Sequence, residues 1–335
     1  MAAHEGSDHA EHAERRDIGD ATLEQMRDDV IQLSRAYMAG VPFPLFQEMR
    51  AVRARMYAAL DRRLWPRDET ALYFLVGGLN GLMSNAAEDL GYPRAAAELA
   101  RAGWGYAVAI DHRPLMGFLR ARLASVSYWT GQPRKAHELA LGGLLYLSDG
   151  PGAARLHLLR AQAAAGFGDA DEAQRAVTDA AEARHRGQAD ELQAEIGGQF
   201  AFGDAKQAYL AGSTLSLLPG SAAPAVGELG SAIGMFETGP AEERSYGCEA
   251  IARINLALVR IRNGDLDAHD LRPVLDLPAD RRIAALPQRL AVVRAELAQP
   301  RYQGSALATS LDEQIESFAR ETIAAGLHEI TDGSA

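Results

Sequence analysis

The sequence predicts an all-α fold, a curved array of antiparallel helical hairpins. Three observations carry that reading. Apolar residues recur at three- and four-residue steps along most of the chain, the period of a helix with one buried face. One kind of glycine turn returns five times. Small residues sit at fixed distances on either side of that glycine. The 335 residues are 47% hydrophobic but only 7% aromatic. The core must therefore be built from alanine, glycine and leucine, with helices approaching closely.

Residues 1–19 are polar, lack an apolar period and are expected to be a disordered tail. His4, His9 and His12 fall there, with nothing nearby to make a defined metal site. From Asp20 the helical stripe is Leu23, Met26, Val30, Leu33 and Tyr37, and the segment from Val41 to Pro44 ends it. Leu45, Met49, Val52, Met56 and Leu60 form a second stripe, ended by Trp65-Pro66. Residues 20–67 thus read as an N-terminal helical pair. The run from Thr70 to Ala87 is uncharged apart from its flanks, but it contains Asn80, Ser84, Asn85 and glycines. A buried helix is expected there rather than a membrane span.

Residues 68–277 are repetitive. The turns are GYPRAA from Gly91, GQPRKA from Gly131, GDADEA from Gly168, GDLDAH from Gly264 and a weaker GSAAPA from Gly220. In each, glycine ends one helix in a left-handed conformation, and a following proline or aspartate starts the next. Seven residues before the glycine stand Ser84, Ala124, Ala161, Ser213 and Ala257; five after it stand Ala96, Ala136, Ala173, Ala225 and His269. Nine of these ten are small, as the crossing point of a tight helical hairpin requires. The turns are spaced by 40, 37, 52 and 44 residues. The pattern is that of a tetratricopeptide-like helical-hairpin solenoid with degenerate repeats of about 37–52 residues and an insertion near residues 187–203. Residues 278–325 read as two capping helices, roughly 280–297 and 305–324, separated by Gln299-Pro300. Residues 326–335 read as a tail.

Several stretches resemble the effector region of actinomycete-type transcriptional regulators, which join an XRE-family helix-turn-helix to a C-terminal tetratricopeptide-like region. They are residues 23–37 (LEQMRDDVIQLSRAY), 72–92 (LYFLVGGLNGLMSNAAEDLGY), 128–133 (YWTGQP), 278–290 (PADRRIAALPQRL) and 300–318 (PRYQGSALATSLDEQIESF). The resemblance implies a regulatory sensor or adaptor. It departs from the family in that no helix-turn-helix precedes Thr22, so the expectation is an effector module without its DNA-reading part.

Chemistry follows the same direction. A net charge of −11 argues against direct nucleic-acid binding, which is driven by phosphate neutralisation. The single cysteine, Cys248, excludes an intramolecular disulfide and a cysteine-based zinc site. Gly103-Trp-Gly105 lies in a helical pattern and is no phosphate loop. The histidines His112, His137, His157, His185, His269 and His328 are scattered, with no catalytic constellation. No cofactor, no metal and no enzymatic activity are expected, and the chain reads as cytoplasmic. Expected partners are a protein, a peptide or an acidic small molecule; no membrane is expected, and a homodimer is left open. Counting from the small anchors places Asn85, Arg122, Ser125, Tyr128, Trp129, Arg155, Gln162, Asn255 and Arg262 on the concave face as candidate ligand-binding residues. Arginine suits carboxylates, amides suit backbone and aromatics add rigid apolar area. Two other readings stay open: a protein–protein scaffold without a transcriptional role, and an enzyme using the helical cleft.

Overall fold

The computed structural model describes residues 18–320, residue 268 excepted. Residues 1–17 with their three histidines, residues 321–324 of the expected last helix, His328 and the expected C-terminal tail lie outside the described residues. Those described form fifteen α-helices and no strand. They are α1 (Asp20–Ala36), α2 (Pro42–Leu60), α3 (Pro66–Asp89), α4 (Pro93–Ala109), α5 (Arg113–Trp129), α6 (Pro133–Leu144), α7 (Pro151–Gly166) and α8 (Ala170–Arg186). There follow the short α9 (Glu191–Glu195), α10 (Asp204–Leu215), α11 (Ala222–Thr238), α12 (Tyr246–Arg262), the four-residue α13 (Arg272–Leu275), α14 (Ala285–Leu297) and α15 (Ala306–Arg320). Among the described residues no helix is long and apolar enough to cross a membrane; the uncharged run around residue 80 is the buried middle of α3.

The punctuation follows from proline and glycine. Proline stands at the first positions of α2, α3, α4, α6 and α7, where its missing N–H costs nothing. Val41 to Pro44 and Trp65-Pro66 therefore start helices rather than end them; the preceding helices have already stopped at Ala36 and Leu60. Gly91, Gly131, Gly168, Gly220 and Gly264 all have φ between 73° and 91°. At Gly91, Gly131, Gly168 and Gly264 the next N–H reaches back five residues to a carbonyl, as in Tyr92 to Ala87 (2.8 Å) and Asp169 to Ala164 (3.0 Å), the closure of a left-handed helix end. Asp111 makes a sixth such turn at φ 49°, between α4 and α5, with His112 donating to the Ala107 carbonyl. Asp tolerates this conformation better than most residues.

Helices pack as neighbouring pairs: α3 on α4, α5 on α6, α7 on α8, and α10 on α11. The small residues expected at these crossings are buried, from Ser84 and Ala96 in the first pair to Ser213 and Ala225 in the fourth. The fifth expected pair is absent. Among the described residues after Gly264 no helix forms before the four-residue α13, so His269 stands exposed beside Asp267 instead of at a close crossing. The first capping helix begins at Ala285, after a 3-10 turn at Ala279–Arg281. That turn touches α2, and Ala284 N–H donates to the Asp89 carbonyl at 2.8 Å. The C-terminal segment thus reaches back to the start of the array rather than only covering its end.

The inner helices α3, α5, α7, α10 and α12 contact one another in sequence. Glycines permit the closest approach. A methyl group on Gly103 in α4 would lie 2.8 Å from the Gly77 carbonyl of α3, whereas one on Gly105 would meet nothing within 4 Å. Gly103→Ala is therefore expected to destabilise the fold by about 1–3 kcal/mol, since a backbone atom must move. Gly105→Ala should stabilise it by up to about 1 kcal/mol through helix propensity. Urea denaturation of the two variants checks the sign of each.

Candidate functional site

The insertion after α8 decides where a ligand could sit. It folds back across the inner face as α9 and a 3-10 turn, Gly198–Phe200, which packs on α1. Phe200 is fully buried, its ring 4.6 Å from that of Phe118. Ser34 Oγ donates to the Gly197 carbonyl (2.8 Å) and accepts from Gln199 N–H (3.0 Å). Arg155 donates to the Phe200 and Ala201 carbonyls at 2.7 and 2.9 Å, and lies over the Phe118 and Phe202 rings.

With that strap in place, the inner face becomes a cavity of about 320 Å³. Its walls come from α3, α5, α7, α10 and the first turns of α12, closed by Gln199, Phe202 and residues 283–285. Of the outer helices α4, α6, α8 and α11, only Pro93 contributes. Six of the nine residues expected on the binding face line this cavity: Asn85, Arg122, Ser125, Trp129, Arg155 and Gln162. The other three lie elsewhere. Tyr128, in the last turn of α5, stands beside Gly166 of α7 and edge-on to Trp129. Asn255 is buried and donates to Ser213 Oγ at 2.8 Å, joining α12 to α10. Arg262 ties the end of α12 to the Ser216 carbonyl and to Glu296. Only the N-terminal half of α12 faces the cavity, so inward counting fails along its second half.

Five charged side chains line the cavity: Glu88, Asp89, Arg122, Arg155 and Lys206. Glu88 Oε2 is bound by Arg122 and, at 3.4 Å, by Ser125 Oγ. Asp89 accepts from the Tyr37 hydroxyl. Lys206 is buried and donates to Gln199 Oε1 (3.2 Å) and the Ala201 carbonyl (3.1 Å). Arg155 and Lys206 thus find carbonyl oxygens, and neither has an ion-pair partner among the described residues. Burial, reinforced by the charge of Glu88, pushes the Asp89 carboxyl up to about 7. Burial and the nearby Arg155 bring the Lys206 ammonium down to about 7. Burial also lowers Arg155 to about 10 and raises the Cys248 thiol.

Four polar atoms on the lining are buried without a hydrogen-bond partner: Asn85 Nδ2, Gln162 Nε2, Arg122 Nε and Glu88 Oε1. Asn85 is 5% exposed and Gln162 2%. Each such atom costs about 1–3 kcal/mol relative to a paired one. The residues that carry them line one cavity and come from α3, α5 and α7.

Glu88, Asp89, Tyr37, Lys206 and Tyr209 were not anticipated from sequence. Glu88 and Asp89 lie one turn beyond Asn85 on the same face, and Lys206 is one of only two lysines in the chain; both signals were present. Among the described residues, no three His, Cys, Asp or Glu side chains cluster as metal ligands. What fold and site define is an all-helical array of packed helix pairs around a largely apolar cavity that carries a few charged and polar groups. Comparison of the chain with protein-family models and with curated proteins finds no match.

The two shifted groups set a pH profile. Asp89 binds a proton in the folded state between its unfolded value near 4 and about 7, so its contribution to stability falls as pH rises through that window. Lys206 loses its proton early on folding, so its penalty is full below about 7 and is relieved as pH rises toward its unfolded value near 10. Asp89→Asn should flatten the acid limb and Lys206→Met the alkaline limb of a stability–pH curve from chemical denaturation.

Proposed function

We propose that this chain is a ligand-sensing module of tetratricopeptide-like architecture that takes a small acidic molecule into its central cavity. The observation that carries the reading is that four unpartnered buried polar atoms belong to residues of one cavity lining, since native interiors rarely tolerate such groups without use. The volume of about 320 Å³ lies at the lower end of the roughly 300–1,000 Å³ range of small-molecule sites. The strap of residues 197–202 covers the inner face where an extended peptide would lie, which favours a small molecule over a protein segment. Arg155 and Lys206, without carboxylate partners, supply the attraction for an anion.

A binding role is favoured over catalysis. Among the described residues no histidine lines the cavity, and burial holds the Cys248 thiol away from the thiolate that a nucleophile needs. The turn geometry, the buried small residues at four crossings and the likeness of residues 23–37 and 72–92 to effector regions of XRE-family regulators support a sensor in transcriptional control. DNA would then be read by another chain or another part of the same protein.

The test is native mass spectrometry of protein purified from its own host, beside Gln162→Met. The wild-type chain should carry a small ligand, and the variant should lose it. Removing the orphaned amide should also stabilise the ligand-free protein by about 1–3 kcal/mol, because a buried group without a partner disappears. A wild-type protein that carries no small molecule, with a variant no more stable than the parent, would overturn the reading.

A further inference from the structure

Apart from Arg122, which pairs with Glu88, the charged groups of the cavity come in two sets from different helices, and that division narrows the ligand. The acidic groups, Glu88 and Asp89, come together from the last turn of α3. That turn also carries the negative end of the helix dipole. Arg155 and Lys206 come from α7 and α10, and the strap carbonyls that hold them come from residues 200–201. Of the four unpartnered atoms three are donors, Asn85 Nδ2, Arg122 Nε and Gln162 Nε2, and one is an acceptor, Glu88 Oε1. Glu88 Oε1 is an acceptor that needs a donor, while Gln162 Nε2, on the same helix as Arg155, is a donor that needs an acceptor. A purely acidic ligand would satisfy the second and leave the first unmet, next to a second carboxyl.

Resting on the reading of the cavity as a small-ligand site, we propose that its ligand is a zwitterion, an amino-acid-like molecule whose carboxylate meets Arg155, Lys206 and Gln162 and whose ammonium meets Glu88 and Asp89. The rest of the lining gives the side-chain preference. Phe118, Leu159, Phe202, Leu210 and Ile251 offer apolar surface, so an aliphatic or aromatic group fits between the two polar ends. The cavity exceeds a single amino acid in volume and accommodates one with a large side chain or a dipeptide.

The experiment is calorimetric titration of the full chain at neutral pH with leucine, phenylalanine and the leucyl-phenylalanine dipeptide. Each is compared with its N-acetyl form, which keeps only the acid, and its C-terminal amide, which keeps only the amine. At least one free zwitterion should bind, and both blocked forms should bind about ten- to a hundredfold more weakly, the loss for one charge-assisted contact. Glu88→Gln and Asp89→Asn, checked for folding by circular dichroism, should bring the free and N-acetyl forms to similar affinity. Lys206→Met should leave the free form still favoured over its N-acetyl form but no longer over its amide. N-acetyl forms that bind as tightly as the free ones would overturn the zwitterion while leaving the acidic-ligand reading intact. Absence of binding by all three zwitterions would overturn it as well, whatever mass spectrometry finds in the cavity.

Discussion

Everything in this molecule depends on how closely its helices can approach. With few aromatic residues to fill space, the hairpins are held by contacts at which a side chain is small or missing. Gly77 and Gly103 bring α3 and α4 nearly backbone to backbone, and Ala161 and Ala173 are fully buried in the pair formed by α7 and α8. Such crossings fix the rotation of each helix about its own axis, because only one face is narrow enough to fit. Fixing that rotation fixes which residues point inward. The cavity lining follows: in α5 it is Phe118, Ala121, Arg122, Ser125 and Trp129, and in α7 Arg155, Leu159 and Gln162, the spacing of a single helical face counted from Ala124 and Ala161.

An open inner face would be a groove. The insertion between α8 and α10 makes it a cavity, and Arg155 is what holds the insertion down. Its guanidinium donates to no carboxylate among the described residues; it donates to two strap carbonyls while lying over the rings of Phe118 and Phe202. A planar, delocalised cation is suited to that double task in a way that an ammonium is not. The same side chain therefore builds the wall and faces the ligand, so its removal would confound stability with binding. Arg122 is similarly committed, to Glu88. Neither is the free surface arginine that inward counting alone suggests.

How much of this was legible in the sequence divides along a physical line. Local signals were sufficient for local structure: the left-handed glycines, the prolines at helix starts, and the small residues at four crossings were all readable because each is imposed by backbone geometry within a few residues. The turn at Asp111 escaped because it uses aspartate where the others use glycine. The failure of the fifth hairpin escaped because Gly264 still ends α12, while nothing after it supplies an amphipathic helix. Six of the nine proposed inward residues line the cavity, since they were counted within α3, α5 and α7, where the register holds. Asn255 and Arg262 were counted along the half of α12 that diverges, and Tyr128 lies one position off the face that Trp129 occupies. The strap was read as an insertion, but its course over α1 and α5 depends on contacts more than 160 residues apart, as between Ser34 and Gly197, which no periodicity reveals.

The cavity also shows a tension between folding and use. A chain optimised only for stability would not leave Asn85, Gln162 and one oxygen of Glu88 buried and unpaired, nor would it bury Lys206 where its charge is suppressed. The surrounding ion pairs show that the fold pairs buried charge where it serves structure: Arg160 meets both Glu172 and Asp179 between α7 and α8, and Arg253 meets Glu237 and Glu249 between α11 and α12. The contrast lies within single helices. Arg160 and Gln162 are two residues apart on α7; Arg160 is paired with two carboxylates of α8, whereas Gln162, on the cavity lining, leaves its Nε2 without a partner. Arg120 Nε and Arg289 Nε are also buried without a partner away from the cavity, so what sets the cavity apart is that four such atoms belong to residues of one lining.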